Sequence, residues 1–321
     1  MRRPLQRLGC ALALLVCADT AAIAGEPRSV SEAFVTNQTD DSLSIVALAD
    51  LKVAETLKIG GKPAGIAMSA DGKQAFLTSP EGKEVVVVDA IARKIVRRIK
   101  IGEGPLGIAA HPTNGRVYVA DWYAHRLSVI DPLAGTTLAE VAVGDSPSGV
   151  AVTPDGRLVL TADRDSNAVS FIDAETNARV GGVSVGERPF GVTIDGSGAR
   201  AYTANVGSDD VSVIDIATRK VVATVKVERR PYAIALAGAR AFVTNQYTST
   251  VSAIDLASLK VIKSIPVGDH PEGIAADPGG KYVYVACWFD NVLMRIDTDK
   301  LVVDGEAAVG DGPRAFGLFL R

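Results

Sequence analysis

The stretch Pro147 to Val185, PSGVAVTPDGRLVLTADRDSNAVSFIDAETNARVGGVSV, decides the fold. It holds four short runs rich in Val, Ile and Thr: SGVAVT (148–153), LVLTAD (158–163), AVSFID (168–173) and ARVGGVSV (178–185). Turn chemistry separates them, with Pro154-Asp155-Gly156 after the first and Asp165-Ser166-Asn167 after the second. β-branched runs bounded by such residues predict strands, because Gly, Asn and Asp tolerate the backbone angles of tight turns and branched side chains pack well on a pleated surface.

The same unit recurs along the chain. Segments AFVTN, AFLTS, VYVAD, VLTAD, AYTAN, AFVTN and VYVAC end at 37, 79, 121, 163, 205, 245 and 287, spaced by 42 residues except for one interval of 40. Prolines at 63, 105, 147, 189, 231, 271 and 313 keep step with them, usually within G-x-x-P-x-G. A third marker lies ten residues after the first, where Asp89, Asp131, Asp173, Asp215, Asp255 and Asp297 close an apolar run and only Ala47 departs. Four strands per unit without helical periodicity define propeller blades rather than a helical solenoid. The N-terminal copy enters at SEAFVTN without a first strand, and the chain ends on GPRAFGLFLR (312–321), a first strand without successors. The expectation is an all-β, seven-bladed β-propeller over residues 33–321, with four-stranded blades and a ring closed by pairing of the C-terminal strand with the N-terminal blade.

Residues 1–24 read as a secretory signal peptide: Arg2, Arg3 and Arg7 precede the apolar run Leu8 to Cys17, and Ala22-Ile23-Ala24 offers a cleavage site. A lipid anchor at Cys17 is the alternative, disfavoured by the bulk of Val16 before it. Residues 25–32 form a lead-in, and the mature protein is expected in the periplasm or secreted. Losing three arginines and Asp19 takes the net charge from −3 to −5 and leaves Cys287 as the single cysteine. An exported chain with one thiol has no internal disulfide. Acidity of this size disfavours general nucleic-acid binding, which draws its affinity from clustered Lys and Arg. The 47% hydrophobic content is ample for a globular core.

The FVTN copies, the G-x-x-P-x-G segments, VTPDGRLVLTA and VSVIDIATRKVVATVKV resemble the YVTN-type β-propeller repeat family, including exported bacterial proteins of the YncE type, over about residues 33–321. The resemblance implies the fold. It also implies company with quinoprotein or cytochrome redox systems, with lactonases, or with single-stranded nucleic acid, and does not choose among them.

Departures from the repeat average point to a site. The residues flanking the prolines include Lys62, Arg188, Arg230, His270, Tyr232, Glu272 and Arg314, on loops expected to ring the upper mouth of the central channel. Converging cations there would bind a carboxylate or phosphate. Acidic neighbours such as Glu187 and Asp269 offer the competing reading of ordinary loop ion pairs. Both tryptophans, Trp122 and Trp288, occupy equivalent loops between second and third strands, and Tyr247 occupies a third. These rings supply either a stacking surface or a cover for blade edges. Cys287 stands where other repeats carry Asn, Ser or Asp.

The leading function is an exported, non-enzymatic propeller that binds a partner protein or small anionic ligand on this upper face. A hydrolase or lyase using His270 and Glu272 is the alternative, and single-stranded nucleic-acid binding a second. His111, His125 and His270 fall in three different blades, so no three-histidine metal site is expected, and no cofactor motif is present.

Overall fold

The computed structural model describes residues 30–321. The leader and most of the lead-in therefore lie outside the described residues.

Seven antiparallel sheets follow one another in chain order around a central channel. The fourth blade consists of Pro147–Val152, Leu158–Asp163, Ala168–Asp173 and Ala178–Ser184, paired from the inside outward. Its middle strands are almost wholly buried while its outer strand alternates with solvent, as sheets packed face to face around a ring require. In every blade the register between third and fourth strands slips once, as at Phe171/Ile172 and Ile45/Val46. Such bulges increase local twist. A single 3-10 turn, Gln246–Thr248, is the only helical element among the described residues, and no helix among them is long and apolar enough to cross a membrane.

The glycine two residues after five of the seven prolines is explained by the channel. A Cβ on Gly65 would lie 2.1 Å from the Leu106 carbonyl oxygen, and one on Gly107 1.8 Å from that of Ser148. Inner strands of neighbouring blades thus approach backbone to backbone. Hydroxyls join the blades at the same level: Thr36 donates to the Ala64 carbonyl, Thr78 to that of Leu106 and Thr244 to that of Glu272.

Closure engages two blades. Blade 1 has three strands of its own, Glu32–Asn37, Ser42–Ala47 and Lys52–Lys58. The C-terminal segment runs antiparallel along Glu32–Asn37, with Phe34 N–H donating to Phe319, Arg314 N–H to Thr36 and Arg321 N–H to Glu32. Its regular part, Phe316–Leu318, also forms a parallel ladder with Gly65–Met68 of blade 2. The expected pairing with blade 1 is therefore extended by a second contact. That contact depends on Gly317, whose φ of +131° is closed to most side chains and whose Cβ would meet the Ile66 carbonyl oxygen at 2.1 Å.

Candidate functional site: the plugged upper mouth

Each loop into a new blade is shaped before its side chain acts. Lys62, Arg188, Arg230 and His270 all have positive φ, between 51° and 59°. A side-chain acceptor from the preceding blade holds three of them: Asp41 accepts the Lys62 amide, Asn167 that of Arg188 and Asp209 that of Arg230, each at 2.8 Å. These acceptors compensate an otherwise unfavourable left-handed conformation.

The residues just after the prolines close the channel instead of ringing an open mouth. Leu106, Phe190 and Tyr232 are buried together with Phe316 from the C-terminal segment. The Phe190 and Tyr232 ring centroids are 4.2 Å apart, Phe190 and Phe316 5.1 Å, and Tyr232 and Phe316 5.5 Å. One side of this plug is apolar. The other side is ionic: Arg314 donates to the Tyr232 hydroxyl and to Gln38 Oε1, and its Nε lies 3.1 Å from Glu272 Oε2. That approach is an ion contact, since Oε2 has no aligned hydrogen-bond donor. Gln246 bridges outward, donating from Nε2 to Glu272 Oε1 and accepting at Oε1 from Arg230 Nε.

Burial raises the Glu272 carboxyl above its ordinary range, against the opposing pull of Arg314. Burial also raises the Tyr232 phenol. Arg314 is held firmly protonated by Tyr232 and Glu272 although burial works the other way.

This arrangement redraws the expected cation ring. Arg314 is neutralised by Glu272, and the Lys62 ammonium is 3.7 Å from Asp41 and donates to the Thr39 carbonyl. Arg230 stacks over Tyr247 at 4.9 Å while Arg229 approaches the same ring at 5.7 Å. The exposed Arg188 guanidinium has no hydrogen-bond or ion-pair partner among the described residues. Arg164, 5.4 Å above Trp122, adds a cation that the proline-flanking pattern did not include.

The aromatic loops divide. Trp122 and Trp288 lean inward, Trp122 to 6.2 Å from Phe190 and Trp288 to 5.9 Å from Arg314. Tyr247 and Tyr123 are exposed, at 52% and 70%. A shallow pocket of about 220 Å³ lies between Trp122, Tyr123, Leu106, Phe190, Gln38 and Arg314.

His270 and Glu272 have separate partners. His270 Nδ1 is 2.9 Å from Asp269 and its ring packs edge-on against Phe289 at 4.5 Å, whereas Glu272 faces Arg314 and Gln246. No hydrogen bond joins the pair among the described residues. Away from the mouth, His111 serves a lower turn, with Nδ1 accepting the Thr113 and Asn114 amides. Cys287 is buried as a free thiol, and burial pushes it up to about 12. Gln38 and Gln246 escaped the sequence reading although they hold the same repeat position as Trp122 and Trp288.

The fold is a seven-bladed, four-stranded β-propeller whose upper mouth is closed by an aromatic and ionic plug. The profile of the YNCE-like beta-propeller matches residues 16–116, and that of the NHL repeat matches residues 103–130, so the chain is consistent with the YVTN/YncE-type propeller family. No curated protein matches the sequence. Among solved structures, hydrazine synthase of Kuenenia stuttgartiensis is similar at 24% identity and a TM-score of 0.71, over 79% of this chain and 89% of that one. A functionally unknown protein from Desulfotomaculum acetoxidans is similar at 16% identity and a TM-score of 0.77, over 89% and 100%. The dihydro-heme d1 dehydrogenase NirN, in complex with DHE, is similar at 15% identity and a TM-score of 0.66, over 90% and 75%.

Proposed function

We propose that this protein is an exported, non-enzymatic propeller that uses its upper face to bind a partner protein or small anionic ligand of a redox system. The observation that carries this reading is the shallow pocket against the plug, walled by Trp122 and Tyr123, with Arg164 stacked on its tryptophan and the partnerless Arg188 exposed two loops further round. The exposed Tyr123 ring, the half-buried Trp122 and the unpaired Arg188 guanidinium, with Arg164 already paired to Asp165, suit a planar or carboxylate-bearing surface, because rings add area at little entropic cost and Arg grips oxyanions bidentately. Fold-level likeness to proteins named as a hydrazine synthase and a dihydro-heme d1 dehydrogenase supports the redox setting. Export rests on the leader alone.

The test is affinity capture from a periplasmic extract on the wild-type protein and on an Arg188→Ala/Arg230→Ala variant. Wild type should retain a redox component that the variant binds at least about tenfold more weakly, a loss of about 1.4 kcal/mol, with the melting temperature lowered by only a few degrees through loss of the Arg230 bond to Gln246. Equal retention by both proteins would remove the upper face from the proposal.

A further inference from the structure

Below the plug the channel widens into a chamber of about 500 Å³ that belongs to no part of the site above. The lower halves of the six proline-led inner strands enclose it, together with Gly317 and Leu318. Phe190, Tyr232 and Phe316 close the channel above it. The chamber therefore communicates with solvent through the lower face.

Its chemistry differs from that of the mouth. Apolar side chains left partly uncovered surround it: Met68, Val150, Val152, Ile194 and Leu236 are half-buried, and Leu318 at the edge is 72% exposed. Three lining side chains are polar, and all are engaged elsewhere. Thr193 donates to the Ile234 carbonyl at 2.7 Å and Thr153 to Asp155 at 2.6 Å. His111 is bonded on both ring nitrogens, Nε2 to the Gly156 carbonyl and Nδ1 to the Thr113 and Asn114 amides. No Lys, Arg, Asp or Glu lines the chamber. What polarity remains comes from the inner strands themselves. Five of the six have an antiparallel partner on one side only, so alternate amides and carbonyls of their other edge face the channel, whereas Gly65–Met68 is covered on that edge by Phe316–Leu318.

We infer that this chamber is a second binding site, for a neutral, predominantly apolar small molecule entering from the lower face. A cavity of this volume suits a drug-sized ligand, and a wall of apolar side chains with a few fixed backbone donors and acceptors is the usual make-up of such sites. Charged ligands are disfavoured because nothing in the wall would compensate their loss of water. The two sites are chemically complementary: anions above, neutral apolar molecules below.

N-phenyl-1-naphthylamine, a neutral fluorophore, tests the assignment by titration into the purified protein. Saturable one-to-one binding with a blue-shifted emission is expected, at least about tenfold tighter than for the related anion 8-anilino-1-naphthalenesulfonate. Val152→Trp, which fills the chamber, should abolish the signal. Should that variant melt early, Leu318→Asp changes an exposed edge residue and should weaken binding about tenfold, the cost of setting a charge beside an apolar ligand. Trp122→Ala, on the upper face, should leave it unchanged. Absence of saturable binding, insensitivity to Leu318→Asp, tighter binding of the anion, or loss of binding in Trp122→Ala would each overturn the assignment. Because the two sites are separated by the plug, failure here leaves the upper-face reading untouched.

Discussion

Cys287 shows how one position can break a repeat without carrying chemistry. In blades 1, 5 and 6 the equivalent residue is an asparagine whose Nδ2 donates to a serine seven residues later: Asn37 to Ser44, Asn205 to Ser212 and Asn245 to Ser252. In blade 7 both partners change together. Cys287 takes the asparagine's place, Met294 takes the serine's, and both belong to an apolar cluster. An apolar pair can replace a hydrogen-bonded pair at little cost, whereas one polar partner alone leaves a buried group unsatisfied. Cys287→Asn should therefore cost about 1–3 kcal/mol in denaturant unfolding. Adding Met294→Ser should recover most of that, by recreating the sibling pair. No recovery in the double variant would mean that the two positions do not act together. The native thiol, held up to about 12, should resist alkylation at pH 8 until the protein is unfolded.

The aspartate that ends six of the seven third strands was legible as a marker, and its role is now visible. Asp173 Oδ1 accepts the amides of Glu175 and Thr176, and Asp89, Asp131 and Asp297 repeat the pattern. These bonds shape the turn into the outer strand. They favour the ionised carboxylate, so Asp89, Asp173, Asp215, Asp255 and Asp297 are shifted below the ordinary range, mainly by turn amides and hydroxyls. On the same face, in the turn between the first and second strands of blade 2, Asp71 is lowered to about 2 by the Lys73 amide and the Ser69 hydroxyl. A carboxylate with a depressed folded value stabilises the fold above its unfolded value of 3.8, and that contribution disappears as the pH falls through the folded value. Melting temperature should accordingly be flat near neutrality and fall between pH about 4 and about 2, and Asp173→Asn should flatten part of that fall. A steep loss already at pH 6 would place the acid-sensitive groups elsewhere. Strands, turns and blade count were readable because they depend on neighbours a few residues apart. The plug was not: Phe190, Tyr232, Glu272, Arg314 and Phe316 meet only after the ring closes, and the proline-flanking pattern gave their position without showing which would neutralise which.

Closure makes the seven blades one cooperative body, and it depends on few residues. The C-terminal segment bonds along Glu32–Asn37, ladders with Gly65–Met68, and delivers Arg314 and Phe316 to the plug. Arg93 and Arg321 both pair with Glu32, tying blade 1 to blade 2 and to the last residue of the chain. Deleting residues 312–321 removes all of these contacts and leaves the edge of Glu32–Asn37 and that of Gly65–Met68 open, which invites association between molecules. The truncated protein should melt well below the parent or aggregate. Misfolding for an unrelated reason would look the same, so a permuted chain provides the decisive comparison. The Ser31 amide donates to the Arg321 carbonyl at 2.7 Å, so the end of the closing segment already lies beside the start of blade 1. Moving residues 310–321 to precede residue 30, with a short glycine linker, converts the non-covalent closure into an ordinary hairpin. The ring is then closed instead by the contacts of Gly273 with Arg314 and Ala315 between blades 7 and 1. That permutant should keep the parent's melting temperature within a few degrees, since every native contact is retained and only the chain break moves. A permutant as unstable as the truncation would show that covalent order, and not the strand itself, holds the ring together.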